Sequence, residues 1–89
     1  MRTYRQGANE KRTHVADFSD RLETGDTLAS AVWTVTGGIT TSGEAVEDEY
    51  AEIVAEGGTV NTSYTFQCVA TTQEGRKHEK SFIVQVVDR

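Results

Sequence analysis

The sequence predicts an all-β fold, and three features of the chain support this prediction. Apolar and polar side chains alternate with a period of two over the longest patterned stretches, which is typical of strands with one buried face. No apolar set recurs at the spacing of an amphipathic helix over a useful length. Glycine-containing turns separate six or seven short strands at spacings of about 8–12 residues, which favours an immunoglobulin-like antiparallel β-sandwich.

The clearest strands are residues 63–72 and 77–87. The short connection between them contains Gly75, so we expect an antiparallel hairpin. Tyr64 stands where sandwiches of this type carry a tyrosine that hydrogen-bonds back to a loop. The alternation predicts a common core face made of Tyr64, Phe66, Cys68, Phe82, Val84 and Val86.

The earlier strands are less regular. Residues 13–18 form a first candidate with Phe18 inward, and residues 27–36 form another. The small side chains of residues 29–31 favour a bulge that switches faces and buries Trp33 and Val35. Shorter candidates are residues 39–41, 44–46 and 50–55, the last with Ile53 in the core. A short helix within residues 44–56 stays open, because this stretch contains helix formers.

Length and composition limit the class of protein. The chain has 89 residues, one cysteine and no proline, so we expect a single domain without an internal disulfide. No run of 18 apolar residues and no apolar N-terminal region exist, so we expect neither a transmembrane helix nor a signal peptide, and synthesis in the cytoplasm. Without proline, the outer strands rely on charge to prevent unwanted strand pairing.

Two segments of the chain carry concentrated charge of opposite sign. Residues 1–12 carry four basic side chains against Glu10, and we interpret them as a basic N-terminal arm preceding a sandwich of residues 13–89. Residues 44–56 carry six acids and no base. The net charge of −5 argues against nucleic-acid binding. Both segments are either solvated surface or docking surfaces for oppositely charged partners, the arm through Arg2, Tyr4, Arg5, Lys11 and Arg12.

The sequence shows no constellation for catalysis, a metal or a cofactor. His14, Cys68 and His78 have no metal-ligand spacing, and the alternation places Cys68 on the core face. The glycine pairs do not form a phosphate-binding pattern, and the acids of residues 44–52 match no calcium loop. Four apolar side chains are instead expected on outward strand faces, either incidentally or as subunit contacts: Tyr50, Val54, Ile83 and Val87.

The order of short motifs resembles that of small tailed-phage structural proteins called fiber-tail adaptors. The resemblance covers residues 13–87. It rests on residues 17–22, 25–30 and 32–35, followed by Gly57-Gly58-Thr59, Tyr64-Thr65-Phe66, Thr71-Thr72, Gly75-Arg76 and residues 79–84. Compared with these proteins, the chain has Phe18 in place of a tryptophan and Gly37-Gly38 in place of a proline.

The resemblance implies an immunoglobulin-like sandwich in a virion, without catalysis or cofactor, that joins tail or fiber components to the particle at the neck or tail. The implied partners are other phage structural proteins, with several copies in a symmetric assembly and no membrane. Three alternatives stay open: a capsid decoration protein, an adhesion module of a bacterial surface protein, and a small enzyme or metal binder.

Overall fold

Seven strands make up the regular structure of the computed structural model, which describes residues 2–88. The strands are β1 (Arg2–Gly7), β2 (Lys11–Asp17), β3 (Leu28–Val35), β4 (Thr40–Val46), β5 (Tyr50–Glu56), β6 (Thr62–Thr72) and β7 (Lys77–Val87). No helix in this part of the chain is long and apolar enough to cross a membrane. Because the regular structure of residues 2–88 consists of strands alone, the prediction of an all-β fold is confirmed.

The strands form two sheets that enclose the core. Sheet 1 has the order β1-β7-β6-β3, and sheet 2 has the order β2-β5-β4. Strand β1 runs parallel to β7, whereas the other neighbouring strands are antiparallel. This two-sheet arrangement is consistent with the predicted β-sandwich, and its immunoglobulin-like character stays a prediction.

The strand pairings agree with the local patterns of the sequence. Strands β6 and β7 form the predicted antiparallel hairpin, with Phe66 opposite Phe82. The register between β3 and β6 shifts between Leu28 and Ser30, so the predicted bulge is present. The two candidates at residues 39–41 and 44–46 are one strand, β4, which is interrupted at Gly43 by a second irregularity.

The core centres on the ring of Phe82. The Phe66 ring stacks on it at 5.2 Å between centroids, and the rings of Tyr4 and Trp33 meet it edge-on at 5.4 and 5.9 Å. Eight of the predicted core side chains are fully or almost fully buried: Phe18, Ile53, Tyr64, Phe66, Cys68, Phe82, Val84 and Val86.

Trp33 and Val35 differ from the expectation because they are only partly buried. Both face inward and pack against the core cluster, as the bulge predicts. Strand β3 is one of the two outer strands of sheet 1, however, and no strand within residues 2–88 covers its free side. The sequence pattern distinguishes the two faces of a strand, but it does not reveal whether the strand lies at an edge.

The prediction of a separate N-terminal arm is not what the structure shows for residues 2–12. Residues 2–7 form β1 and pair with β7 over the register Arg2–Phe82 to Gly7–Val87, and Lys11 begins β2. The basic side chains suggested a solvated tail, but Arg2 and Arg5 are exposed residues of β1 within sheet 1, and Lys11 and Arg12 are exposed residues of β2 within sheet 2. A parallel pairing has no connecting hairpin turn that the sequence could have displayed.

A buried polar group joins β1 to both sheets. Gln6 is fully buried, and its side-chain nitrogen donates hydrogen bonds to the carbonyl oxygens of Glu10 and Ala55 at 3.0 and 2.8 Å. Its Oε1 therefore faces His14 Nε2, at 2.8 Å. Because Oε1 can only accept, the neutral His14 ring must carry its proton on Nε2. This network anchors the N-terminal strand to β2 and β5.

Two glycines make room for the ring of Tyr64, whose hydroxyl accepts a hydrogen bond from the backbone nitrogen of Thr59 at 2.8 Å. A Cβ atom on Gly38 would lie 3.2 Å from one ring edge, and one on Gly58 would lie 3.1 Å from the other. Both glycines have positive φ angles, of 107° and 91°. The second glycine of each pair therefore allows the close packing around the tyrosine.

Candidate interaction surfaces

Strands β1 and β2 form one lateral side of the sandwich, and four basic side chains are exposed there. We call this surface the basic edge: Arg2, Arg5, Lys11 and Arg12, with the partly buried Tyr4. The Tyr4 and His14 rings lie 5.4 Å apart, which places β1 of sheet 1 beside β2 of sheet 2. The structure thus brings together all five residues predicted for the N-terminal segment.

A groove runs between the two strands of the basic edge. One part of it has a volume of about 300 Å³ and is lined by residues that include Arg5, Arg12 and Val15. Val15 is 42% exposed although it is aliphatic. The groove also reaches the buried His14 ring, where desolvation and then the charge of Arg12 lower the pKa of the imidazole. The neutral His14 ring therefore lines the groove together with the positively charged Arg5 and Arg12.

The opposite lateral side carries acids. Because β1 and β2 share one side, the other outer strands, β3 and β4, lie on the far side. The exposed acids of β4 and of the turn to β5 are called the acidic edge below: Glu44, Glu47, Asp48 and Glu49. Val46 lies among them and is 37% exposed. The remaining two acids of this segment, Glu52 and Glu56, are on β5.

The outer face of sheet 1 has few charges. In its central rows, Thr3 is opposite Ile83, and Ile83 is opposite Thr65. Ile83 and Val87 are partly exposed on this face, as predicted, while their neighbours in sequence point into the core. Serine, threonine, glutamine and valine side chains cover most of the rest. In a chain with 26% charged residues, such a face is a candidate contact surface.

Tyr50 and Val54 lie on the outer face of sheet 2, where they stand opposite Asp17 and Thr13 of β2. They alternate with the buried Ala51, Ile53 and Ala55 of β5. Residual burial, followed by the charges of Glu47 and Glu52, raises the pKa of Tyr50. The nine predicted contact residues therefore fall on three adjoining surfaces and not on one.

The turns that join β2 to β3 and β6 to β7 meet in a dense polar network. Arg76 lies 3.5 Å from the carboxylates of Asp26 and Glu23, and 3.1 Å from that of Glu74. The Asp26 side chain is only 1% exposed. Burial opposes its ionisation, but hydrogen bonds from Thr72, Thr27 and Glu74 and the charge of Arg76 together lower the pKa of this carboxyl.

These two turns, between β2 and β3 and between β6 and β7, form an end of the sandwich that we call the loop end. A second contact strengthens it. Lys80 Nζ lies 3.0 Å from the Asp20 carboxylate and 5.9 Å from the centroid of the buried Phe18 ring. The hydrogen bond from Lys80, the leading cause, lowers the pKa of Asp20. Residues 17–22, 25–30, 71–76 and 79–84, which were motifs in the sequence, are neighbours here. Their contacts stabilise turns.

Cys68, the one cysteine of the chain, is a buried free thiol. Burial, followed by the charge of Glu44, raises the pKa of the Cys68 thiol to about 11, so it stays protonated and unreactive at neutral pH. Within residues 2–88, no group of three or more histidine, cysteine, aspartate or glutamate side chains is arranged to bind a metal.

Four buried polar residues were missed by the sequence analysis: Gln6, His14, Asp26 and Thr72. Two of them continue the alternation of inward and outward residues in their strands. His14 has the same parity as the inward Ala16, and Thr72 extends the inward series that ends at Ala70. Gln6 and Asp26 had no such signal, because their partners are distant in sequence.

The fold, the paired turns and the separate charged surfaces define the class: a small β-sandwich whose exposed features are suited to protein contacts. The family model described as Podophage GP4 fiber-tail adaptor protein gp77 matches residues 6–85, and the chain belongs to this family. This confirms the resemblance to fiber-tail adaptors. Curated proteins gave no match. Membership gives the chain a structural role in the phage tail, as a component of the virion that contacts other tail proteins.

Proposed function

We propose that this protein is a non-enzymatic adaptor in the neck or tail of a tailed phage, where it joins fiber or tail components to the particle. Several copies act in a symmetric assembly, without nucleic-acid or membrane binding. The observation that carries the proposal is the family match over residues 6–85. The distribution of contact residues over three surfaces supports it, since an adaptor must contact more than one neighbour.

The outer face of sheet 1 is proposed as the surface that docks on another tail protein. This face centres on Ile83, with Thr3 and Thr65 beside it. Uncharged, β-branched side chains on a sheet lose little conformational entropy when a partner covers them. The molecule measures 43 × 23 × 18 Å, so such docking would leave its other surfaces free at a distance from the particle.

The test is incorporation of variants into phage particles. Ile83→Glu places a charge at the centre of this face, and burying an unpaired charge in an interface is strongly unfavourable. We expect particles that lack this protein or lack fibers, measured by immunoblotting and electron microscopy of purified virions. Gln73→Glu, which adds the same charge on the exposed turn between β6 and β7, serves as the control.

Normal incorporation and fiber attachment of folded Ile83→Glu protein would reject this docking face. Folding is checked beforehand by circular dichroism of the purified variant. The number of copies per particle tests the alternative of a capsid decoration protein: a handful to a dozen copies support the adaptor role, whereas hundreds indicate a capsid location.

A further inference from the structure

We propose that copies of this chain associate side by side, with the basic edge of one copy against the acidic edge of the next. The partner is thus a second copy of the same chain, bound through two different surfaces. A contact of this kind is heterologous, and repeating it builds a ring if the rotation between copies closes. The inference goes beyond the proposed function, because adaptor docking on another protein requires no contact between copies.

The first argument is that Arg5 and Arg12 of the basic edge and Glu44 and Glu47 of the acidic edge form no salt bridge with another of the described residues. Between described residues, every ion pair has Arg76 or Lys80 as its cation. Arg5, Lys11 and Arg12 are exposed and take part in none of these pairs, and the same holds for Glu44 and Glu47. Complementary charges left free on two surfaces steer association and determine its register.

The second argument is the position of the charges on opposite lateral sides. Since β1 and β2 form one side and β3 and β4 the other, a translation and rotation of one copy brings unlike charges together. Two basic edges or two acidic edges would repel each other. The arrangement therefore favours head-to-tail contact over a two-fold dimer at either edge.

The third argument is that both sides offer apolar contact and open strand edges. Val15 on the basic side and Val46 on the acidic side are exposed by 42% and 37%. Each lateral side ends in strands whose outer backbone groups have no strand partner, and no proline is present to block pairing. A side of a molecule 43 Å long is large enough to approach the roughly 800 Å² per partner of a standard interface.

The acidic side is also held in place by the rest of the fold. The backbone oxygens of Asp48 and Glu49 accept hydrogen bonds from the backbone nitrogens of Leu28 and Phe18, at 2.9 and 2.8 Å. The turn that carries the acids is therefore anchored to the loop end. Anchoring reduces the entropy that is lost when a neighbouring copy binds.

The test uses two charge-reversed variants of the full chain. Arg5→Glu/Arg12→Glu cancels the net charge of the basic edge, and Glu44→Lys/Glu47→Lys cancels that of the acidic edge. Each variant alone can only place a neutral edge against a charged one. In an equimolar mixture the unaltered edges of the two variants can meet, and the reversed residues of one variant can face those of the other with unlike charges. Sedimentation velocity and native mass spectrometry over a concentration series at low ionic strength measure the association.

We expect the unaltered chain to associate at low ionic strength and to dissociate as salt is added. Each reversed variant alone should bind itself about tenfold or more weakly, and mixing the two should restore association. Lys77→Glu and Glu79→Lys, which each reverse one exposed charge away from both edges, should associate like the unaltered chain.

The proposal is overturned if the unaltered chain stays monomeric throughout the series, or if the reversed variants associate as it does. It is equally overturned if both variants lose association but their mixture does not regain it, since that result indicates a two-fold contact or a different surface. These measurements use purified protein, so they are independent of the virion experiment on Ile83.

Discussion

The loop end and the lateral edges of this sandwich use the same residue types in opposite ways. At the loop end, Arg76 and Lys80 lie within 3.5 Å of carboxylates from other turns. At the lateral edges, Arg12 and Glu47 are exposed without such partners. Charged residues at the loop end therefore contribute to the stability of one molecule, whereas those at the edges are available to a second molecule.

Several of the motifs that carried the resemblance lie at the loop end. Asp26 and Arg76 are far apart in sequence but meet at the loop end, where they join two turns. Removing a buried partner leaves hydrogen-bonding groups unsatisfied, so such pairs tolerate little change. By contrast, the exposed charges of Arg12 and Glu47 at the edges take part in none of the ion pairs between described residues.

The largest effect should come from removing the apolar base of the loop end. Phe18 is fully buried beneath Lys80, so Phe18→Ala should lower the free energy of unfolding by about 3–5 kcal/mol. Val15→Ala at the basic edge should change it by only about 0.5 kcal/mol or less. Urea denaturation at pH 7 measures both. Equal losses would contradict the distinction between the two regions.

A smaller effect is expected when Asp26 loses its charge. The folded-state pKa of Asp26 lies below the usual 3.8, so its contribution to stability is present above that pH and is lost as the pH falls through the folded-state pKa. Asp26→Asn should therefore be less stable than the unaltered chain at pH 7, with the difference shrinking in acid.

Chemical denaturation at several pH values between 7 and 3 measures this difference directly. Other carboxyls with lowered pKa values, such as Asp17 and Asp20, are present in both proteins, so their effects cancel. A difference that stays constant over this range would show that the charge of Asp26 does not stabilise the loop end.

The smallest of the three effects belongs to His14, the titrating residue of the buried network under the basic edge. Burial lowers its folded-state pKa below 6.5, so the unfolded chain takes up the proton first as the pH falls. Stability should therefore decrease from about pH 6.5 downward.

His14→Gln retains a side-chain donor for Gln6 but does not titrate, so the decrease between pH 7 and pH 5 should be shallower in this variant. Thermal unfolding of both proteins at matched pH values checks this. If the two pH profiles run parallel, His14 is not the group whose protonation destabilises the fold.

The sequence alone predicted those parts of the fold that depend on local patterns. The alternation in residues 63–72 and 77–87 identified the core face, and Gly75 located the hairpin between them. The side chains of residues 29–31 indicated the bulge in β3. Such features are predictable because side-chain direction in a strand follows from position along the chain.

Which strands became neighbours was decided only by the tertiary structure. The parallel pairing of β1 with β7 turned an expected arm into part of sheet 1, and it buried Gln6 against His14. The edge position of β3 left Trp33 partly exposed. The strand order also placed Glu44, Glu47, Asp48 and Glu49 on the side away from β1 and β2, whereas Glu56 of the same acidic segment lies opposite Lys11. Contacts between distant residues carry no local signal, because they arise only when the sheets pack against each other.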